Sequence, residues 1–207
     1  MVSKVREKIV NAALESFHDL GFSACSVQDI VDKAGVPKGS FYNYFKAKEL
    51  LAVEVLEIYA AGSRRELLSD TTVAPITRLR GHFEFMATRY AGFGYSKGCL
   101  IGNMAAESSD NTPLMRQALA ESLARWTIAV AGAIREGQKD GSIARGLDAD
   151  TIARFLINSW EGSVVRMKIA GSREPLDDFF RVAFSLLSPP ATETKKARNS
   201  RSIASRV

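Results

Sequence analysis

Between Pro37 and Lys48 the chain carries three lysines, Lys38, Lys46 and Lys48, and no acidic residue, interleaved with Gly39, Ser40, Tyr42, Asn43 and Tyr44. Ammonium groups and phenolic hydroxyls can hold phosphate oxygens, which fixes a protein on a nucleic acid without reading its sequence. Amide and hydroxyl side chains such as Asn43 and Ser40 can read base edges, and Gly39 admits close approach. The other reactive residue types are scattered. His18 and His82 stand at no metal-ligand spacing to Cys25 or Cys99, so no metal is expected. Glu107, His82 and Cys99 could be imagined as a catalytic group, but no spacing joins them. With neither a phosphate loop nor a nucleophile elbow, no enzyme and no cofactor are expected.

The elements that must position the basic cluster read as helices. Val5, Ile9, Ala13 and Phe17 recur at i, i+4 over 4–20, with Gly21 as the stop. Ser26 can cap a second helix, with Asp29 where a capping-box acid would stand. Val27, Ile30, Val31 and Ala34 form its apolar face, and Gly35 ends it. Pro37 fits the first turn of a third helix that runs to about Phe45. Two short helices joined by Gly35-Val36 make a helix-turn-helix arrangement. Phe41 and Phe45 fall on the inner side of the third helix, and Gly39, Asn43 and Lys46 on the outer. Spacing alone leaves two readings open: a major-groove surface, or an ordinary three-helix face with solvated lysines.

The rest of the chain also reads as helical, with segments over 47–68, 75–90, 99–107, 113–139, 149–170 and 175–187. The expected fold is therefore all-α, three helices followed by a body of about six. The 207 residues are 46% hydrophobic and 25% charged, which suits one large or two small globular domains and excludes a disulfide scaffold. No apolar run approaches the roughly 18 residues that cross a bilayer, and charge follows Met1 closely. A cytoplasmic protein with reduced cysteines and no membrane partner is expected. Net charge is +5, from 28 Lys and Arg against 23 Asp and Glu. Residues 51–188 carry sixteen of each sign, whereas 189–207 carry five basic residues against one acid. A non-specific nucleoid-type binder would spread its charge over the body. The tail reads as disordered, either a solvated end or an accessory grip on nucleic acid.

The segment SVQDIVDKAGVPKGSFYNYFKAKELL at 26–51 closely resembles the DNA-binding signature of the TetR family of bacterial transcriptional repressors. The matching residues are Ser26, Ile30, Ala34-Gly35-Val36, Lys38-Gly39-Ser40, Tyr42, Tyr44-Phe45 and Lys48-Glu49-Leu50. The resemblance implies a DNA-binding domain over 1–47, an effector-binding and dimerisation domain over 48–188, and the basic tail over 189–207. It implies a homodimer on a pseudo-palindromic double-stranded operator, released by a small-molecule or electrophilic effector. Ser26, Tyr42, Tyr44 and Lys48 would then hold phosphates, and Lys38, Gly39, Ser40 and Asn43 would lie close to bases. The last two helices, with Gly162, Ser163, Phe179, Phe180 and Phe184, would pair with their copies in a four-helix interface. Their own pattern fits internal core as well. Phe85, Met86, Tyr90, Trp126 and Trp160 could line an apolar effector pocket with Asn103, Arg89 or Asn158 as polar anchors, or be plain core.

The stretch from Lys97 to Glu107 is similar to a segment of an electrophile-responsive, NemR-like subgroup of that family, in which a cysteine at this place is the sensor. The residues add partial support of their own. Cys99 follows a loop with Gly92, Gly94 and Gly98 and stands at a predicted helix N-terminus, whose partial positive charge favours thiolate. Lys97 adds a cation, and Lys168 could approach from across the body. The other reading is a small buried hydrophobe. Cys25 has no such cation beside it and is expected to be unreactive.

Overall fold

The structure, a computed structural model, describes residues 3–190. Among the described residues it holds nine α-helices and no strand: α1 (Lys4–Leu20), α2 (Val27–Ala34), α3 (Lys38–Tyr42), α4 (Lys48–Ala61), α5 (Pro75–Gly92), α6 (Leu100–Glu107), α7 (Pro113–Asp140), α8 (Ala149–Ala170) and α9 (Glu174–Leu187). A 3-10 helix, Arg65–Ser69, follows α4. The expectation for the tail beyond Pro190 lies outside the described residues.

Local chemistry accounts for the first three helices. Ser3 caps α1, its hydroxyl accepting from the Val5 amide at 3.3 Å. At α2 the capping box closes in both directions. The Ser26 hydroxyl accepts from the Asp29 amide at 3.1 Å, and the Asp29 carboxylate accepts from the Ser26 amide at 2.7 Å. Gly35 ends α2 in the left-handed region at φ +63°, a conformation that costs other residues a Cβ clash. Phe41 and Phe45 point inward as expected, both buried. Two boundaries differ from the sequence pattern. Pro37 is the N-cap of α3 and not part of its first turn, and α3 ends at Tyr42. Phe45 is held instead by its amide donating to the Phe41 carbonyl at 2.9 Å.

The fourth helix also stops early. Its pattern predicts continuation to Leu68, but the chain turns at Gly62–Arg64, with Arg64 left-handed at φ +52°. The turn allows Leu68 to be buried and Arg65 to reach α7, where its guanidinium donates to the Ser122 carbonyl and hydroxyl at 3.1 Å each. That tertiary gain outweighs the propensity of a short run of helix formers.

Helices α1 to α3 pack together, α1 also packs on α4, and α4, α5, α7, α8 and α9 form the body. One buried core runs through both parts, from Ile9 to Leu187. Its body half centres on Phe83, whose ring lies 5.1 Å from Trp160 and 5.0 Å from Phe179. This corrects one expectation. Phe179, Phe180 and Phe184 face inward, each no more than 6% exposed, with Phe179 and Phe180 against Trp160 and Arg80 over Phe184. The outer faces of α8 and α9 carry other apolar residues, Phe155, Val165 and Ile169 on α8 and Val182 and Leu186 on α9. Gly162 falls in the α8 stripe, seven residues from both Phe155 and Ile169, while Ser163 turns its hydroxyl back to the Ser159 carbonyl at 2.9 Å.

Candidate nucleic-acid interface and thiol cavity

Turning at Gly35, the chain presents α3 outward. Lys38, Gly39, Asn43 and Lys46 are exposed, Ser40 is half-buried, and Tyr42 and Tyr44 are 57% and 38% exposed. A Cβ at Gly39 would meet only open space, so nothing in this chain claims the position. Six of the eight residues expected at DNA therefore share this short helix and its exit. The Tyr44 hydroxyl is paired with the Ser3 hydroxyl at 2.8 Å, which ties the exit of α3 to the start of α1. Two residues have different local roles. Ser26 spends its hydroxyl in the capping box, donating to the Asp29 carboxylate at 2.7 Å. Lys48 turns away from solvent. Its ammonium donates to the carbonyls of Phe22 and Cys25 at 2.7 Å each and lies 4.4 Å from the centre of the Phe22 ring. Here it clamps the turn before α2.

In the body, a partly open cavity of about 20 Å³, room for roughly one water molecule, is lined by Cys99, Met86, Arg89, Tyr90 and Trp126 together with Tyr59 and Arg65. Five residues expected at an effector site are thus brought together. Trp160 stands behind Tyr90, ring centres 6.2 Å apart. Asn103 and Lys168 are not among the lining residues; both lie against Gly98, next to Cys99. Tyr59, Ser63, Arg65 and Ile101 complete the lining and were not singled out from the sequence. Ser63 and Arg65 arrive there only because α4 breaks. No periodic pattern announces that break.

Cys99 is the N-cap of α6 and is 6% exposed. Its thiol is pushed far above the usual range, first by burial and then by the negative charge of Glu161, whose carboxyl lies with the Cys99 side chain over Gly102. This reverses the expected thiolate: loss of solvation outweighs the helix terminus, and the group beside the sulfur is acidic. Lys97 is engaged elsewhere, ion-paired with Asp19. Glu161 itself is pushed up to about 7 by burial. Behind the cavity, His82 accepts from the Trp126 indole at 2.9 Å and is pushed down to about 4, mainly by burial and then by Arg65. Cys25 is fully buried and its thiol is also raised by burial, consistent with an inert group.

The two sites are joined through α6. The Gly98 carbonyl accepts from Nε2 of His18 in α1 at 2.7 Å. At the other end of α6, the Glu107 carboxylate accepts from the amides of Phe22 and Ser23 at 3.2 and 2.6 Å. A Cβ on Gly21, which sits at φ +83°, would collide with that carboxylate.

Comparison with known proteins agrees with this arrangement. Residues 9–55 match the family model described as bacterial regulatory proteins, tetR family, and residues 75–183 match the tetracyclin repressor-like C-terminal domain. The chain is 40% identical over 188 residues to the HTH-type transcriptional repressor DhaR of Mycobacterium sp. (strain GP1), covering 89% of this chain and 93% of that one. It is 30% identical over 175 residues to the repressor NemR of Escherichia coli (strain K12), covering 83% and 87%. The crystal structure of E. coli NemR in its reduced form superposes with a TM-score of 0.80, 26% identity and coverage of 91% and 100%. The regulatory protein TetR from Rhodobacter sphaeroides superposes with a TM-score of 0.83, 31% identity and coverage of 89% and 100%.

Proposed function

The chain belongs to the TetR family of bacterial transcriptional regulators, and from that premise we propose that it is a repressor, and not an enzyme, whose DNA binding is switched by a small effector at the Cys99 cavity. The working unit is a cytoplasmic homodimer on a pseudo-palindromic operator. Two-fold symmetry places one α3 at each half-site, one or more helical turns apart. Lys38, Gly39, Ser40 and Asn43 approach bases, and Tyr42 and Tyr44 hold phosphates. The copies meet through the outward apolar faces of α8 and α9. Among the described residues no helix is long and apolar enough to cross a membrane.

The observation that carries this reading is α6, which starts at the cavity and ends on the turn that leads into α2. A molecule that enlarges a space of one water must displace Cys99 or its neighbours, and α6 transmits that displacement to Phe22 and Ser23. An electrophile that alkylates Cys99 is the effector class favoured by a thiol on the cavity wall. The test is fluorescence anisotropy with the DNA upstream of the protein's own gene and with random DNA at about 0.15 M salt. Preference for the upstream DNA, release by N-ethylmaleimide, and retention by Cys99→Ser are expected. Equal affinity for both DNAs defeats the repressor reading; release of Cys99→Ser at the same dose defeats the thiol as sensor.

A further inference from the structure

Glu161 in α8 is an acid with a buried carboxyl oxygen that no hydrogen bond satisfies. Its carboxyl lies on α8 over the backbone of α6, in a space that exists because residue 102 is glycine; a Cβ there would collide with Oε2. Among the described residues it forms no ion pair, and Oε1 is buried without a hydrogen-bond partner. Withdrawing a carboxylate from water without a cation is costly, so such groups concentrate at sites that use their proton affinity. The thiol of Cys99 is its neighbour. The other ionisable groups around the pair are Tyr59 of α4, Tyr90 and Arg89 of α5 and Arg65 of the 3-10 helix, with Lys168 of α8 against Gly98. The tyrosine hydroxyls are both pushed above their usual range by burial, so neither accepts a proton near neutrality.

We propose that Glu161 is the proton acceptor that activates Cys99 toward small conjugated electrophiles. This rests on the reading of Cys99 as the reacting group. As the sulfur bonds to the β-carbon of an alkene conjugated to a carbonyl, the π pair moves onto the carbonyl as an enolate. The thiol proton passes to the Glu161 carboxylate and from there to the α-carbon. The sum is addition of S–H across the double bond, with no oxidant. Between reactions the same carboxylate keeps the sulfur protonated and quiet, because two negative charges in one dry space repel.

The two roles of Glu161 predict opposite outcomes for Glu161→Gln. Removing only a repelling charge would lower the thiol pKa and speed alkylation; removing the proton acceptor slows it. The experiment follows N-ethylmaleimide addition to the full chain by mass spectrometry of the Cys99 peptide, from pH 6 to pH 9. In the natural protein the rate is expected to rise through pH 7 and level off, following ionisation of the carboxyl. Glu161→Gln is expected to lower the rate at pH 8 by about tenfold or more and to abolish the inflection. Gly102→Ala, which keeps the charge but pushes the carboxylate off the thiol, is expected to slow the reaction as well. A rate in Glu161→Gln equal to or above that of the natural protein overturns the proposal. So does a natural profile that climbs about tenfold per pH unit to pH 9. If Cys99 is alkylated with the expected pH profile but DNA stays bound, the sensor reading fails alone.

Discussion

Glu107 holds Ser23 by its backbone, carboxylate oxygen to amide nitrogen at 2.6 Å, and the same carboxylate takes the Phe22 amide at 3.2 Å. The last residue of α6 is therefore the N-terminal anchor of the turn that launches α2, and α6 begins at Cys99. Charge-assisted bonds to backbone amides contribute about 1.5–3 kcal/mol each. A helix eight residues long is stiff enough to carry displacement from one end to the other.

Glu107→Ala should uncouple the two sites. Modification of Cys99 by N-ethylmaleimide should proceed at its usual rate, with operator affinity before treatment changed only a few-fold. Release after treatment should be blunted. Parallel mass spectrometry and anisotropy on one sample make the comparison. Full release by this variant would show that the signal travels by another route.

Lys48 makes a distinguishing case. As a clamp on the Phe22 and Cys25 carbonyls, its loss in Lys48→Met should cost about 1–3 kcal/mol of stability and weaken operator binding by loosening α2. The slope of log affinity against log salt should stay the same, whereas a phosphate contact would reduce it by about one. Denaturant titration and binding at several salt concentrations decide between them. An unchanged stability with a reduced slope would move Lys48 to the DNA.

The apolar residues of α9 divide by face. Val182→Asp with Leu186→Asp puts charge on the exposed face, where the two are 55% and 63% exposed. This pair should give folded monomers with little operator affinity. Phe179→Asp, placing charge among Phe83 and Trp160, should instead lose about 3–5 kcal/mol or fail to fold. Light scattering and circular dichroism separate these outcomes. A dimer of undiminished stability from the double variant would remove this face from the interface.

Stability should fall with pH near neutrality because of Glu161. Its carboxyl is raised in the folded protein from 4.5 to about 7, so between those values the folded state binds more protons than the unfolded one. Unfolding free energy therefore decreases as pH rises from about 4.5 through 7, by up to the order of 3 kcal/mol. Glu161→Gln should be flatter over this window and more stable than the natural protein at pH 8. Equal pH slopes in urea titrations at pH 5 and pH 8 would count against a buried, unpaired carboxylate.

The helix-turn-helix was legible in the chain because its signals act over a few residues. The Ser26–Asp29 box, the left-handed Gly35 and the inward pair Phe41 and Phe45 each depend on neighbours three to five positions away, and each stands where the spacing put it. The all-helical body and its boundaries at Pro75, Pro113 and Gly171 were legible for the same reason. What depended on distant partners was not. An amphipathic α9 could place Phe179, Phe180 and Phe184 against its own core or against a copy, since periodicity describes a face and not what covers it. Only the position of Trp160 and Phe83 decided that. Lys48 read as a free cation until two carbonyls from the turn before α2 came within reach. Nothing in the sequence set Glu161 apart, because burial is a property of the surroundings and no residue carries it alone. The sequence by itself determined the helix-turn-helix and the family; packing decided that a thiol and an unpaired carboxylate lie side by side over Gly102.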